Sequence, residues 1–191
     1  EKYTNQIDQF VSEPDKGIYD AMNKGLQRAS GDYVIFMNAG DRFADEKTVG
    51  QLISAMESNP DVIVGDAMFV DEAGKTLGLR SRVTPHKIPL NLTWKSFRYG
   101  MVICHQSFIA KRNIAPLFDL HYRLSSDIDW EIKCLKAANS IIQIPVPICR
   151  YLTGGASVQN LKRSWQERFE VLSRHFGFGN ALFSHLIIIL R

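Results

Sequence analysis

The chain has 191 residues, a net charge of +3, 45% hydrophobic and 23% charged residues, which fits one globular domain able to bury about two-thirds of its unfolded surface. The charge comes without a long basic run, so a nucleic-acid partner is not expected. Three cysteines, Cys104, Cys134 and Cys149, lie far apart with no Cys-x-x-Cys, which argues for reduced thiols in a cytosolic protein and against a disulfide frame or zinc site. Nothing at the start resembles a signal peptide, and no apolar run approaches the ~20 residues of a spanning helix.

The predicted elements follow in chain order. Ile18, Met22, Leu26 and Ala29 recur at helical spacing and predict a helix over 17–29. Tyr33-Val34-Ile35-Phe36-Met37 then runs without a break into the turn Asn38-Ala39-Gly40-Asp41. A short, fully apolar run bounded by turn residues reads as a strand buried on both faces, as in parallel α/β sheets. Ligands of open α/β sheets bind beyond the carboxyl ends of such strands, which puts Asp41 at a ligand edge. Read alone, Asp41 serves equally well as the cap of a turn or of the next helix.

Val49, Leu52, Ile53 and Met56 predict a second helix, ended by Asn59-Pro60. Val62-Ile63-Val64 reads as a buried strand continuing through Phe69-Val70, with a hairpin turn at 71–75. Residues 80–104, with Pro85, Pro89 and Gly100, lack periodicity and read as a partly helical loop. Gln106–Ala110 predicts a strand, Ser125-Ser126 a cap for a helix over 127–138, and Ser140–Val146 another strand. Leu161, Trp165, Phe169, Leu172 and Phe176 mark the apolar face of a last helix before the apolar tail 181–190.

Two segments carry a resemblance. Ser12-Glu13-Pro14-Asp15-Lys16-Gly17-Ile18-Tyr19-Asp20-Ala21-Met22-Asn23-Lys24-Gly25 leads into the first helix, and Ser30-Gly31-Asp32 leads into the strand that ends at Asp41. Together they resemble the inverting nucleotide-sugar glycosyltransferases of family 2, over residues 10–160. The resemblance implies the GT-A fold, an α/β domain with a mixed sheet and flanking helices. It also implies that the first strands, which cup the nucleotide base, are missing here and that the chain is a fragment of a longer enzyme. Residues 1–160 would then be the C-terminal part of the GT-A domain, and 161–191 a helical extension.

The resemblance also implies site residues. Asn38-Ala39-Gly40-Asp41 stands where the family has its metal-binding "DxD" element, which makes Asp41 the ligand of Mg²⁺ or Mn²⁺ and Asn38 a polar helper. A hard divalent cation suits a leaving pyrophosphate, because it takes one or two carboxylates plus phosphate oxygens. Asp15, Lys16 and Asn23 belong to the segment along the nucleotide, and His105 and Gln106 to the acceptor border. Asp127 matches the catalytic base. Asp129 is its alternative, but residues two apart point about 200° away from each other on a helix, so both cannot face one pocket. Tyr151–Ser157 resembles a glycine-containing loop whose amides approach phosphate.

The expected activity is transfer of a sugar from a nucleotide-sugar donor to a saccharide or lipid-linked acceptor, with inversion, in cell-surface polysaccharide synthesis. The expected place is the cytoplasm at the inner face of the membrane, with peripheral membrane contact or homo-oligomer formation through the apolar tail. Two rivals stand beside it. A nucleotidyltransferase shares strand-end metal chemistry, but its glycine- and basic-rich signature is not seen. A catalytically silent interaction module on the same fold leaves Asp41 and Asp127 without a purpose.

Overall fold

The computed structural model describes residues 6–189. In chain order its elements are helix α1 (Ile18–Arg28), strands β1 (Tyr33–Val34) and β2 (Arg42–Phe43), helix α2 (Thr48–Met56), and strands β3 (Val62–Val70) and β4 (Thr76–Leu79). The short helix α3 (Arg80–Val83), strand β5 (Phe108–Lys111), helix α4 (Ser126–Ala137) and strand β6 (Ile141–Leu152) follow. The single turn α5 (Ala156–Gln159) and helices α6 (Leu161–Phe176) and α7 (Phe178–Ile189) close the order. Trp94–Tyr99 and His105–Ser107 are 3₁₀ turns.

The strands form one mixed sheet in the order β1-β5-β3-β6-β2, with β4 added to the far half of β3. Only the central pair β3–β6 is parallel; every other pair is antiparallel. Period-two alternation distributes β3 between two cores. Val62 and Val64 join Phe108, Ala110, Phe118 and Trp130 under α1 and α4, while Ile63 joins Ile109, Ile148 and Leu52 under α2. Full burial of each such side chain contributes about 1.5–3 kcal/mol. Helices therefore cover both faces, and the strand ends are left to form a site.

Two features shape the centre of the sheet. A Cβ at Gly65 would stand 2.8 Å from both the Ile148 side chain and Val146 O, so only glycine lets β3 approach β6 there. The β3–β6 register shifts at the same place, between Val64 and Asp66, opposite Pro145 and Pro147. Those prolines have no N–H for a ladder bond, so the irregularity falls where pairing is weakest.

Several expectations are corrected. Only Tyr33 and Val34 of the apolar run are strand, paired antiparallel with β5 at the edge of the described sheet, and only Val34 is buried. The run is not the doubly buried parallel strand its composition suggests: Val34 and Phe36 pack toward α1 and α4 and Tyr33 and Ile35 toward α2, but at the edge of the described sheet only Val34 is fully covered. The strand at 106–110 starts two residues later, after the His105–Ser107 turn. The strand at 140–146 continues to Leu152 in spite of its prolines. Ser125 and Ser126 do not cap α4: their hydroxyls donate to Ser164 O and Asp119 O instead. The buried face of α6 is also rotated from prediction, with Ser164, Glu167, Val171 and Leu172 inside and Leu161 and Trp165 exposed. Ile18 is likewise exposed, and Tyr19 takes the core position beside Met22 and Leu26.

Candidate active site

A cavity of about 230 Å³ opens where α1, the strand ends, the head of α4 and the loop after β6 converge, and Asp127 lies in its wall. Around Asp127 the cavity brings together Tyr19 from α1, Asn38 from the turn after β1, His105 and Gln106 from the 3₁₀ turn, and Gly155 and Ser157 from the last loop. Asn38, His105, Gln106 and Asp127 are thus assembled from positions spread over 90 residues of sequence. The glycine-containing loop joins them.

Asp127 occupies the first turn of α4, where its Oδ1 accepts from Ile128 N at 2.9 Å. Burial pushes its carboxyl up to about 6, against the lowering effects of that amide, the Tyr19 hydroxyl and the Arg168 guanidinium. A carboxylate poised there can take a proton near neutral pH. Asp129 lies elsewhere. It is almost fully buried on another face of the helix, with Oδ1 2.8 Å from His175 Nε2 and Oδ2 2.6 Å from Lys133 Nζ. The two acids diverge as helical geometry requires, and Asp129 has no place in the cavity wall.

His105 is buried and stacked on Phe36, with Phe118 and Trp130 edge-on. Its Nδ1 stands 3.2 Å from Glu131 Oε1. Burial lowers the imidazole to about 4 and raises the Glu131 carboxyl, so both are pushed toward their neutral forms. Among the described residues His105 Nε2 and Glu131 Oε2 have no hydrogen-bond partner.

Asp41 belongs to a different construction. Its Oδ2 accepts from Gln106 Nε2 at 2.8 Å and its Oδ1 from Leu152 N at 2.9 Å, while Cys104 Sγ donates to Gln106 Oε1 at 3.2 Å. The carboxylate thereby ties the turn after β1 to the end of β6 and to the approach to β5. Burial raises its pKa, partly offset by these bonds. Gly40, at φ 93°, brings the turn so close that a Cβ would meet Leu152 Cδ2 at 2.9 Å.

These residues can be tested against a divalent ion. Among the described residues no group of three or more His, Cys, Asp and Glu side chains is placed to hold one. Asp41 offers a single carboxylate, each oxygen still holding lone pairs beyond the bond it accepts. That fits only an ion completed by phosphate oxygens, a common way of binding Mg²⁺.

The remaining predicted residues lie outside the cavity wall. Asn23 is buried, with Nδ2 donating to Phe118 O at 3.0 Å and Oδ1 accepting from Phe118 N at 2.7 Å. Its amide fastens α1 to the loop before α4. Asp15 accepts from Gly17 N at 2.8 Å and Lys16 N donates to Asp20 Oδ2 at 2.9 Å, which shapes the start of α1. Asp15 lines a separate groove of about 670 Å³ between residues 8–15 and α1. Sequence reasoning does not single out Tyr19, Arg80, Tyr151 or Arg168. Tyr19 and Tyr151 stand inside the two quoted segments without a role of their own, and Arg80 and Arg168 have no local pattern.

The family model for glycosyl transferase family 2 matches residues 3–115, more than half of the chain. The chain belongs to glycosyl transferase family 2. The matched stretch holds Asp41 and His105 and stops before α4 and Asp127. Two mycobacterial relatives are similar. An uncharacterized glycosyltransferase of Mycobacterium tuberculosis, Rv1514c, is 28% identical over 92% of this chain and 67% of its own length. A PGL/p-HBAD biosynthesis glycosyltransferase of Mycobacterium bovis is 29% identical over 63% of this chain and 44% of its own.

Among solved structures, S. aureus TarS 1–349 in complex with UDP-GlcNAc superposes with a TM-score of 0.67 at 15% identity, over 96% of this chain and 58% of that one. The same protein in complex with UDP gives 0.65. This chain thus spans about two-thirds of the first relative's length and about half of TarS. The fold is that of the GT-A glycosyltransferases, a mixed sheet with flanking helices.

Proposed function

We propose that this family 2 chain carries the acceptor side and the base of an inverting sugar transfer from a nucleotide-sugar donor. The observation that carries the reading is Asp127, a carboxyl held near pKa 6 in the wall of the cavity that also gathers Asn38, His105 and Gln106. Asp127 Oδ takes the proton of an acceptor hydroxyl as that oxygen forms its bond to the anomeric carbon. The bond from that carbon to the donor's phosphate oxygen breaks on the opposite face, and the nucleoside diphosphate leaves with the electron pair. A single displacement of this kind inverts the centre.

The other residues hold and exclude. Tyr19 and Arg168 favour the ionised form of Asp127. The His105 ring closes one wall against Phe36, Phe118 and Trp130, which keeps water from the base. Asn38 offers an amide to the sugar or phosphate, and Gln106 positions Asp41. Mg²⁺ or Mn²⁺ bound with the donor, with Asp41 as its one protein carboxylate, would supply charge neutralisation for the pyrophosphate. Asp15 and Lys16 stand toward the nucleotide, and Asn23 positions α1. Structures of TarS with UDP and UDP-GlcNAc support a nucleotide-sugar donor.

The acceptor we propose is a saccharide or lipid-linked saccharide of the cell surface, met at the cytoplasmic face. The exposed side chains Phe178, Leu182, Phe183 and Leu186 of α7 suit peripheral contact or self-association, with 161–191 acting as an extension of the GT-A domain. Among the described residues no helix is long and apolar enough to cross a membrane. The deciding experiment measures transfer from a panel of UDP- and GDP-sugars by wild type and Asp127→Asn. The variant should keep donor affinity and lose turnover. Equal turnover removes Asp127 as the base.

A further inference from the structure

The cavity contains a charge that the transfer scheme leaves unused. Arg80, the first residue of α3, is more than nine-tenths buried and lines the cavity together with Asp127 and Tyr151. Its Nη1 donates to Val102 O at 2.8 Å and its Nη2 to Met101 O. These carbonyls orient the guanidinium and consume part of its five-donor fork, but they do not neutralise it. Among the described residues no carboxylate forms an ion pair with Arg80.

The two acids whose fields reach it are committed elsewhere. Asp66 accepts from the Ser81 hydroxyl and amide and from Ala67 N. Glu131 faces His105, and burial drives its carboxyl toward the neutral form. A guanidinium this deep is costly without an anion, yet it stays charged because arginine does not give up its proton in proteins. Arg123 adds an exposed cation in the cavity wall, and Gly155 and Ser157 add backbone from the last loop.

We propose that Arg80 is an oxyanion-binding residue, which takes a phosphate group of a substrate through the donors that Met101 and Val102 leave free. The glycosyl-transfer reading enters only in naming the source. That source is either the donor's pyrophosphate or a phosphate borne by the acceptor. A planar fork matches two phosphate oxygens at once, which a lysine at the same place would not.

Two measurements test this on the chain as it stands. Crystals of the wild type soaked in tungstate should show an anomalous peak within hydrogen-bond distance of the Arg80 guanidinium. Titrations with inorganic pyrophosphate, UDP and glycerol 3-phosphate should weaken by about tenfold or more in Arg80→Met and by less in Arg80→Lys. Loss confined to UDP and pyrophosphate assigns the donor, and loss confined to glycerol 3-phosphate assigns the acceptor. If Arg80→Met does not fold, the tungstate position decides alone. No tungstate at Arg80, or affinities within twofold in a folded Arg80→Met, overturns the proposal. Tungstate at Arg80 in a chain that transfers no sugar keeps the site and removes the glycosyl-transfer reading. Wild-type transfer by folded Arg80→Met does the reverse.

Discussion

Asp127 and Asp129 stand two residues apart on the same helix turn, and their surroundings pull them in opposite directions. Asp127 faces a cavity where burial outweighs every stabilising partner and lifts its carboxyl to about 6. Asp129 is also desolvated, but His175 and Lys133 outweigh that burial and hold it below the usual carboxylate range. One side of α4 therefore gives up stability to keep a carboxyl raised toward neutrality in the cavity wall, and the other side uses the same residue type to fasten α4 to α6. The partners that a side chain meets decide its chemistry, not its place on the helix dipole.

The largest effect should come from Asp127→Asn. Loss of a general base lowers turnover by about 10²–10⁴-fold, with donor affinity nearly unchanged. The same change should stabilise the fold. A carboxyl whose folded pKa is raised favours the native state at low pH, and that advantage is lost as pH rises from the unfolded value toward about 6. At neutral pH the wild type therefore carries a penalty of about 1–3 kcal/mol that asparagine relieves. Thermal melts at pH 7.5 check this, and a lower melting temperature for the variant would break the comparison. Wild-type turnover should also fall about tenfold per pH unit below about 6 and level off above it.

Asn23→Ala should follow, destabilising by about 2–4 kcal/mol, because it strips partners from two buried backbone groups of Phe118 at once. Denaturant unfolding measures the loss. A change below about 0.5 kcal/mol would show that Asn23 is free for a ligand instead of holding α1 to the α4 side.

Asp129→Asn is the mirror of the first variant and should cost about 1–3 kcal/mol while sparing turnover. Its depressed pKa means that the stabilisation is present above the ordinary carboxylate range and is lost as pH falls through the lower folded value. The gap between wild type and variant should therefore close toward pH 2–3. If Asp129→Asn silenced transfer and Asp127→Asn did not, the assignments of the two acids would be exchanged.

The division between these regions also marks what could be read from the chain. The helix over 17–29, the hairpin at 71–75 and the β3 strand come from local periodicity and turn residues, which act within a few positions, whereas the helix over 127–138 is present although the Ser125-Ser126 cap that marks it in the sequence does not form. The catalytic candidate Asp127 came from a motif resemblance and from the 200° rule. What stayed hidden depends on distance in sequence. Asn23 reads as a polar residue on a helix, and only its bonds to Phe118, 95 residues on, make it part of the core. Asp41 reads as a strand-end ligand, and nothing near it reveals that Leu152 N will occupy one of its oxygens. Arg80 and Arg168 have no local signature at all.

The smallest effect should come from α6, where sequence and structure disagree on which face packs. An apolar repeat through Trp165 suggested that the indole is buried, whereas its residue is 43% exposed and Ser164 beside it is 2% exposed. The reason lies on α4 and the loop before it. Glu167 accepts from Arg123 N and Leu124 N at 2.9 and 2.7 Å, and Ser164 O accepts from the Ser125 hydroxyl. These polar bonds to the head of α4 turn the first half of α6 so that Ser164 and Glu167 face inward and Leu161 and Trp165 face out, while Val171 and Leu172 stay inside. Trp165→Gln should then change unfolding free energy by less than about 0.5 kcal/mol, within the range of ordinary surface substitutions. Ser164→Leu should cost about 1–3 kcal/mol by overpacking. If the tryptophan change were the costly one, α6 would pack by its apolar stripe after all. The link from Glu167 to the backbone beside Asp127 would then be incidental.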